Sequence, residues 1–244
     1  MKKVENEKIN SIFVLGSTSS VAQDVCRELA KRGCKKFTLF GRNTKKNEHF
    51  KKELVDKFDI IVDLFFFDLL NDNNQIPEID EHDLYLISVG ILGDKNIAIK
   101  DYNEALKIAN VNFTNLIPWI TKITSDERLS NFGRLWIFSS VAGDIGRPSN
   151  YHYGAAKSAL TIFCQGLFYR TYKKPFLIRI FKAGYLATPE TLSKTSKKLC
   201  LDTGFLAKKI LDSPNKEGIE YIPWWWFLVM KLLRFLPPSI ISRI

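Results

Sequence analysis

Tyr153 and Lys157 stand four residues apart in the stretch SSVAGDIGRPSNYHYGAAKSAL, residues 139–160. On a helix this spacing puts a phenol and an ammonium on one face. Ser140 lies thirteen residues before Tyr153, just after the apolar run Arg134-Leu135-Trp136-Ile137-Phe138. A free phenol, with a pKa of about 10, is a sluggish proton donor at neutral pH, and a donor improves as its pKa approaches that of the medium. A nearby ammonium stabilises the phenolate and lowers that pKa. Such a trio suits reduction of a carbonyl by a nicotinamide hydride. Ser140 would orient the carbonyl, Tyr153 would protonate the developing alkoxide, and Lys157 would tune the phenol and hold the nicotinamide ribose. Tyr151 is the competing phenol, but Ala155 stands four residues beyond it. The alternative reading is structural, a buried tyrosine and an exposed lysine on an ordinary helix.

Positioning these groups takes a strand ending at Ser140 and a helix through Tyr153, and the chain repeats that alternation. Residues 12–15 (IFVL) end at Gly16, followed by Ser17-Thr18-Ser19-Ser20. Val21, Ala22, Val25, Cys26, Leu29 and Ala30 then recur at helical spacing up to Gly33. Ser20 is the expected N-cap. Backbone N–H groups at such a helix start hold a pyrophosphate, which makes Gly16, Ser17, Thr18, Ser20 and Val21 candidate cofactor contacts. A second strand, residues 36–40, ends at Gly41-Arg42-Asn43. An NAD site places Asp or Glu at this point to hold the ribose 2′-hydroxyl. Arg42, with Lys45 and Lys46 behind it, pairs instead with a 2′-phosphate, so NADP(H) is expected over NAD(H). The alternative is a solvated basic turn.

A charged helix over residues 45–57 leads to a third strand, residues 60–67, whose nearly continuous apolar run predicts burial on both faces. It ends at Asp68-Leu69. A polar loop spans residues 71–83, and a fourth strand, residues 84–88, ends at Val89-Gly90. The pattern predicts one long helix over residues 102–124, kinked at Pro118, with Asn112 and Asn115 at mildly unfavourable interior positions. A sixth strand over residues 176–181 ends at Lys182-Ala183-Gly184. A basic loop with Lys194, Lys197 and Lys198, a helix over residues 203–211 and a strand over residues 218–222 follow. The fold class is therefore α/β: one Rossmann-like, doubly wound parallel sheet in three α/β/α layers. Ligands bind such sheets beyond the carboxyl ends of the strands, where Gly16, Arg42, Asp68, Gly90, Ser140 and Gly184 all fall.

At 244 residues with 45% hydrophobic content the chain suits one large folded unit. The division read here is a domain over residues 1–222 and a tail over residues 223–244. Cys26, Cys34, Cys164 and Cys200 form no CxxC pair and read as free thiols. His49, His82 and His152 are scattered, so no metal site is expected. The charged N-terminus lacks an apolar signal region, giving a cytoplasmic expectation. A net charge of +10 favours anionic partners, but no nucleic-acid motif is present and the lysines are dispersed.

The tail reads PWWWFLVMKLLRFL over residues 223–236. It is shorter than the about 20 apolar residues needed to cross a bilayer. As a helix it gives Lys231 and Arg234 a narrow polar stripe. From Lys194 onward nine Lys/Arg face four Asp/Glu, a local charge of +5. One reading is a peripheral helix through residues 224–236 at the inner face of the cytoplasmic membrane, where tryptophan and cationic side chains fit. The other is packing on its own domain or on a second subunit.

In these motifs the chain resembles the short-chain dehydrogenase/reductases over residues 11–223. Gly16–Ala22 matches the family's glycine-rich turn, with Ser20 and Ala22 replacing glycines. The resemblance implies that Asp68, followed by Leu69, holds the adenine and that Gly90 retains the last residue of the family's Asn-Asn-Ala-Gly motif. It further implies that Asn112 supports a proton-relay water and that Ser140, Tyr153 and Lys157 are catalytic. Gly184, Leu186 and Thr188 would embrace the nicotinamide amide, with Ala183 where the family has proline. A dimer or tetramer is also implied. The short basic segment over residues 188–202 and the Trp-rich tail are similar to the decaprenylphosphoryl-2-keto-ribose reductase group. That implies a keto-sugar on a lipid or nucleotide carrier, in envelope polysaccharide biosynthesis. The alternatives are a 3-oxoacyl-type ketoreductase fed by an acidic carrier protein, and a non-catalytic NADP-binding scaffold.

Overall fold

The computed structural model describes residues 8–71, 75–193 and 195–243. Lys194 of the basic loop and residues 72–74 of the 71–83 loop lie outside them. Seven strands form one sheet: β1 (Ser11–Leu15), β2 (Lys36–Gly41), β3 (Ile61–Phe66), β4 (Leu84–Ile87), β5 (Gly133–Ser140), β6 (Phe176–Ala183) and β7 (Gly218–Ile222). Their order is β3-β2-β1-β4-β5-β6-β7 and every pairing is parallel.

Helices cover both faces, because the central strands are apolar on both. On one face Val21, Val25 and Leu29 of the Ser20–Lys31 helix and Leu206 and Ile210 of the Thr203–Leu211 helix bury Ile12, Val14 and Leu39. On the other, Trp119 and Ile120 of the Ile117–Ile123 helix and Leu160 and Cys164 of the Tyr151–Arg170 helix bury Phe13, Ile137 and Ile178. Burying each such large aliphatic side chain stabilises the fold by about 1.5–3 kcal/mol.

Three local expectations are corrected. β3 is an edge strand paired only with β2, and Ile61, Phe65 and Phe66 stay exposed, so its apolar run does not mark burial on both faces. The helix expected over residues 102–124 is two helices, Tyr102–Asn112 and Ile117–Ile123, joined by a tight turn at Thr114–Leu116. Pro118 causes no kink, because it occupies the first turn of the second helix, where its missing N–H costs nothing. The asparagines are thereby explained. Asn112 is the last residue of its helix, and Asn115 leaves the turn to donate to the Leu69 carbonyl at 2.6 Å. Finally, Ser19 rather than Ser20 is the N-cap of the first helix, and it makes no side-chain cap bond. Its hydroxyl instead pairs with that of Ser88 at 2.9 Å, which ties the turn after β1 to the end of β4.

Candidate active site

The Tyr151–Arg170 helix lays Lys157 against the ends of β4 and β5. The side chain is 3% exposed. Its Nζ donates to the Val89 carbonyl at 3.1 Å and the Phe138 carbonyl at 3.3 Å and lies 5.9 Å from the centroid of the Tyr153 ring. Burial pushes the ammonium pKa down to about 8. Asn112 approaches from the other side. Its Oδ1 accepts from Ile91 N–H at 3.2 Å, and its Nδ2 donates to the carbonyls of Ile91 and Ile108, each at 2.8 Å. Gly90 separates the two: a Cβ there would come within 2.9 Å of Asn112 Oδ1 and 3.1 Å of Lys157 Nζ.

The two serines at the end of β5 have different surroundings. Ser139 is buried, and its hydroxyl is engaged by the Lys157 carbonyl at 3.1 Å and the Thr161 hydroxyl at 2.7 Å. Ser140 is half-buried at the strand edge. It accepts from Ala142 N–H at 3.1 Å and donates to the Ala183 carbonyl at 3.4 Å. Tyr151 points outward, with its ring against His152.

Along the other half of the same edge runs a groove. Gly16 takes φ +95°, in the left-handed region that favours glycine, and a Cβ there would meet the Ser88 carbonyl at 2.8 Å. The N–H groups of both Gly16 and Ser17 donate to the Phe40 carbonyl, and the Ser17 hydroxyl faces inward to Phe40 and Asn47. Gly16 and Ser17 therefore shape the turn. Thr18, Ser20 and Val21 stand at the start of the Ser20–Lys31 helix, whose positive dipole end faces the groove. Beyond it a cleft of about 510 Å³ is lined by Thr18, Arg42, Asn43, Thr44, Lys45 and Lys46. Three cations around small polar side chains fit a phosphate that substitutes a ribose. Asp68 and Leu69 follow β3 at the end of this groove, where Asp68 Oδ1 accepts from Leu70 N–H at 3.1 Å.

At the other end, the chain leaving β6 runs through Gly184 to Leu186, which bridges to Leu201, and to Thr188, which caps the Pro189–Leu192 turn. The tail returns here. A Cβ on Gly184 would collide with the Trp226 indole, and Arg234 donates to the Asp144 carbonyl at 3.2 and 3.3 Å. The Trp226–Leu233 helix buries Met230 and leaves Phe227, Leu228 and Leu232 exposed, as are Trp224 before it and Phe235 after it. Among the described residues no helix is long and apolar enough to cross a membrane.

A further cluster lies beside Ser140 and has no forerunner in the motif reading. The Asp144 carboxylate pairs with the Lys182 ammonium and accepts from the Tyr221 hydroxyl at 2.8 Å. The register Ser139↔Lys182↔Tyr221 across β5, β6 and β7 brings these groups together. Its one sequence signal is a lysine, Lys182, interrupting the apolar run of β6.

Thus Gly90, Asn112 and Lys157 meet at the end of β4, with Tyr153 beside Lys157 and Ser140 at the end of β5. Gly16, Thr18, Ser20, Val21, Arg42, Asp68 and Leu69 lie along the ends of β1, β2 and β3.

A family model described as short chain dehydrogenase matches residues 10–198. Among curated relatives, an uncharacterized oxidoreductase of Mycobacterium tuberculosis is 29% identical over 165 residues, 65% of this chain and 64% of the relative. The chain thus spans just under two thirds of that relative's length. An uncharacterized oxidoreductase of Streptomyces coelicolor is 26% identical over 242 residues, 96% of this chain and 95% of the relative. Among solved structures, a short-chain dehydrogenase from Sphingobium yanoikuyae in complex with NADPH superposes with a TM-score of 0.79 at 14% identity, covering 95% of this chain and 98% of that one.

Proposed function

The chain belongs to the short-chain dehydrogenase family, and on that footing we propose that it is an NADPH-dependent carbonyl reductase. The observation that carries this reading is the buried Lys157 ammonium beside Tyr153, held by two backbone carbonyls. An ammonium beside a phenol stabilises the phenolate that remains once the proton has been given up. Reduced nicotinamide, when bound, supplies a hydride to the carbonyl carbon. Tyr153 gives its phenolic proton to the carbonyl oxygen, Ser140 fixes that oxygen by a hydrogen bond, and Asn112 supports the path by which the phenol regains its proton. Balance is complete: the carbonyl gains hydride and proton, and the cofactor leaves oxidised. Arg42, Lys45 and Lys46 would hold the 2′-phosphate. Gly16, Ser17, Thr18, Ser20 and Val21 would form the pyrophosphate turn, with Asp68 and Leu69 at the adenine, Gly90 against the ribose, and Gly184, Leu186 and Thr188 at the nicotinamide.

The substrate would be a keto-sugar on a lipid or nucleotide carrier, made for envelope polysaccharide. Support comes from the tail, whose helix adjoins Gly184 with one face and presents Trp224, Phe227, Leu228, Leu232 and Phe235 outward with the other. That outer face, with Lys231 near it, suits an anionic membrane surface and would place the enzyme peripherally at the cytoplasmic face. Exposed Ile162, Tyr169 and Tyr172 at the Tyr151–Arg170 helix support pairing with a second copy. The runner-up is a 3-oxoacyl-type ketoreductase, favoured by exposed Lys197 and Lys198, which could meet an acidic carrier. NADPH oxidation measured against lipid- and nucleotide-linked keto-sugars and against 3-oxoacyl thioesters separates the two. Turnover of the thioesters alone would overturn the keto-sugar reading.

A further inference from the structure

Four residues beyond Ser140 stands one half of a buried ion pair. The side chains of Asp144 and Lys182 are 1% and 8% exposed and bonded to each other. The Tyr221 hydroxyl completes the cluster: it donates to Asp144 Oδ2 at 2.8 Å and accepts from Lys182 Nζ at 3.3 Å. Taking two charges out of water costs about what their attraction returns, and apolar side chains of similar volume often serve a fold as well or better. Stability alone therefore does not account for charges at this place. Their geometry does more, because a buried pair with fixed partners holds its segment in one arrangement.

The segment it holds is the one that carries Ser140. The chain leaves β5 at Ser140 and makes a single tight turn, Val141–Asp144. Ser140 caps the start of that turn, its hydroxyl accepting from Ala142 N–H at 3.1 Å. Asp144 ends the turn and is fixed from three sides. Its carboxylate meets Lys182 of β6 and Tyr221 of β7, and its main-chain carbonyl accepts from Arg234 of the tail at 3.2 and 3.3 Å. Between the two ends Gly143 presses on the Tyr151–Arg170 helix, where a Cβ would stand 2.7 Å from Ser158 N. Lys182 adjoins Ser140 along the strands as well. Ala183, the next residue, is the register partner of Ser140 and accepts its hydroxyl at 3.4 Å. A displacement of Asp144 is thus passed through a short, packed turn to the Ser140 hydroxyl.

We propose that Lys182 is a positioning residue for the reaction: paired with Asp144 it fixes the Val141–Asp144 turn, and through that turn the direction in which Ser140 presents its hydroxyl. This role rests on the reading of Ser140 as the group that orients the carbonyl. Misplacing a reacting geometry by about 1 Å, even from outside the chemistry, costs about 10² in rate. Such a loss leaves the fold and the cofactor groove as they were.

A double-mutant cycle tests this. Lys182→Met together with Asp144→Leu replaces both charges by apolar side chains, in the wild type and in Ser140→Ala. NADPH oxidation is followed with diacetyl, an acetoacetyl thioester and a nucleotide-linked keto-sugar, and the cycle uses whichever the wild type reduces fastest. With Ser140 present, the apolar pair should leave Tm unchanged or raised and the NADPH dissociation constant within about twofold, yet lower kcat about ten- to a hundredfold. Ser140→Ala should itself lower kcat about 10²–10³. In that background the apolar pair should cost less than about threefold, because no hydroxyl remains to be aimed. Tyr221→Phe leaves the ion pair in place and carries the same cycle if melts show that the apolar pair does not fold. Its loss should be about three- to tenfold, again absent from Ser140→Ala. Equal fold-losses in the two backgrounds, an unchanged kcat, or weakened NADPH binding would each overturn the positioning role alone. A wild type that reduces none of the three carbonyls would overturn the reductase reading, and the positioning role with it.

Discussion

Lys157 and Asn112 both close on Gly90, so that a Cβ there would lie 2.9 Å from Asn112 Oδ1 and 3.1 Å from Lys157 Nζ. Both are buried, and each is satisfied by backbone groups: Lys157 by the carbonyls of Val89 and Phe138, Asn112 by Ile91 and Ile108. The end of β4 thus serves as the seat on which a charged side chain from one helix and an amide from another are fixed.

Lys157 is held at a cost to the fold. Its folded-state pKa, about 8, lies below its ordinary value of 10.5. Between those values the unfolded chain binds the extra proton, so this group makes stability rise with pH across that window, and its penalty is fully present below about pH 8. Lys157→Met should therefore stabilise the apoprotein at pH 7, on the order of 2–3 kcal/mol. The gain should fade towards pH 10.5 in urea unfolding series. The same variant should lose about 10²–10⁴ in turnover. A variant destabilised at pH 7 would show that Lys157 contributes to the fold.

Arg42 faces the cleft that would receive the 2′-phosphate. Arg42→Gln should raise the NADPH dissociation constant about ten- to a hundredfold, the loss of one charge-assisted hydrogen bond, while NADH affinity stays within about twofold. Fluorescence titration of both cofactors measures this. Equal weakening of both would remove Arg42 from the role.

The buried Asp144–Lys182 pair joins the loop after Ser140 to β6. Asp144→Asn leaves the ammonium without its carboxylate and should cost about 3–5 kcal/mol, seen as a lowered Tm. Tyr221→Phe, which removes a hydroxyl that donates to Asp144 and accepts from Lys182 at 3.3 Å but leaves the ion pair, should cost about 1–2 kcal/mol. The reverse ranking would contradict a charge-held loop.

Leu228 and Leu232 project from the outer face of the tail helix. Replacing both with Glu should lower sedimentation with anionic vesicles about tenfold or more, given ~1.5–3 kcal/mol for each buried leucine, and leave Tm unchanged. A wild-type protein that ignores such vesicles would remove the membrane from the account.

The parallel sheet and its strand positions were legible because the central strands carry continuous apolar runs and the first helix a strict 3.6 period at Val21–Ala30; the strand order was not read. What failed was set by neighbours. β3 has an apolar sequence, but among the described residues no strand pairs on its outer side. The break after Asn112 follows from side-chain bonds to Ile91 and Leu69, remote in sequence. That Tyr153 and Lys157 stand together on the helix after β5 followed from their spacing and from the strand–helix alternation. The contacts of Trp226 with Gly184 and of Asp144 with Lys182 did not, because each joins segments about 40 residues apart.

The central claim is that Tyr153 is the proton donor in carbonyl reduction. Its most direct test is stopped-flow turnover of Tyr153→Phe, run beside NADPH binding by fluorescence titration on the same preparation. The account predicts a fall in turnover of about 10²–10⁴ with NADPH affinity unchanged within about twofold. Turnover retained at the wild-type level would contradict it.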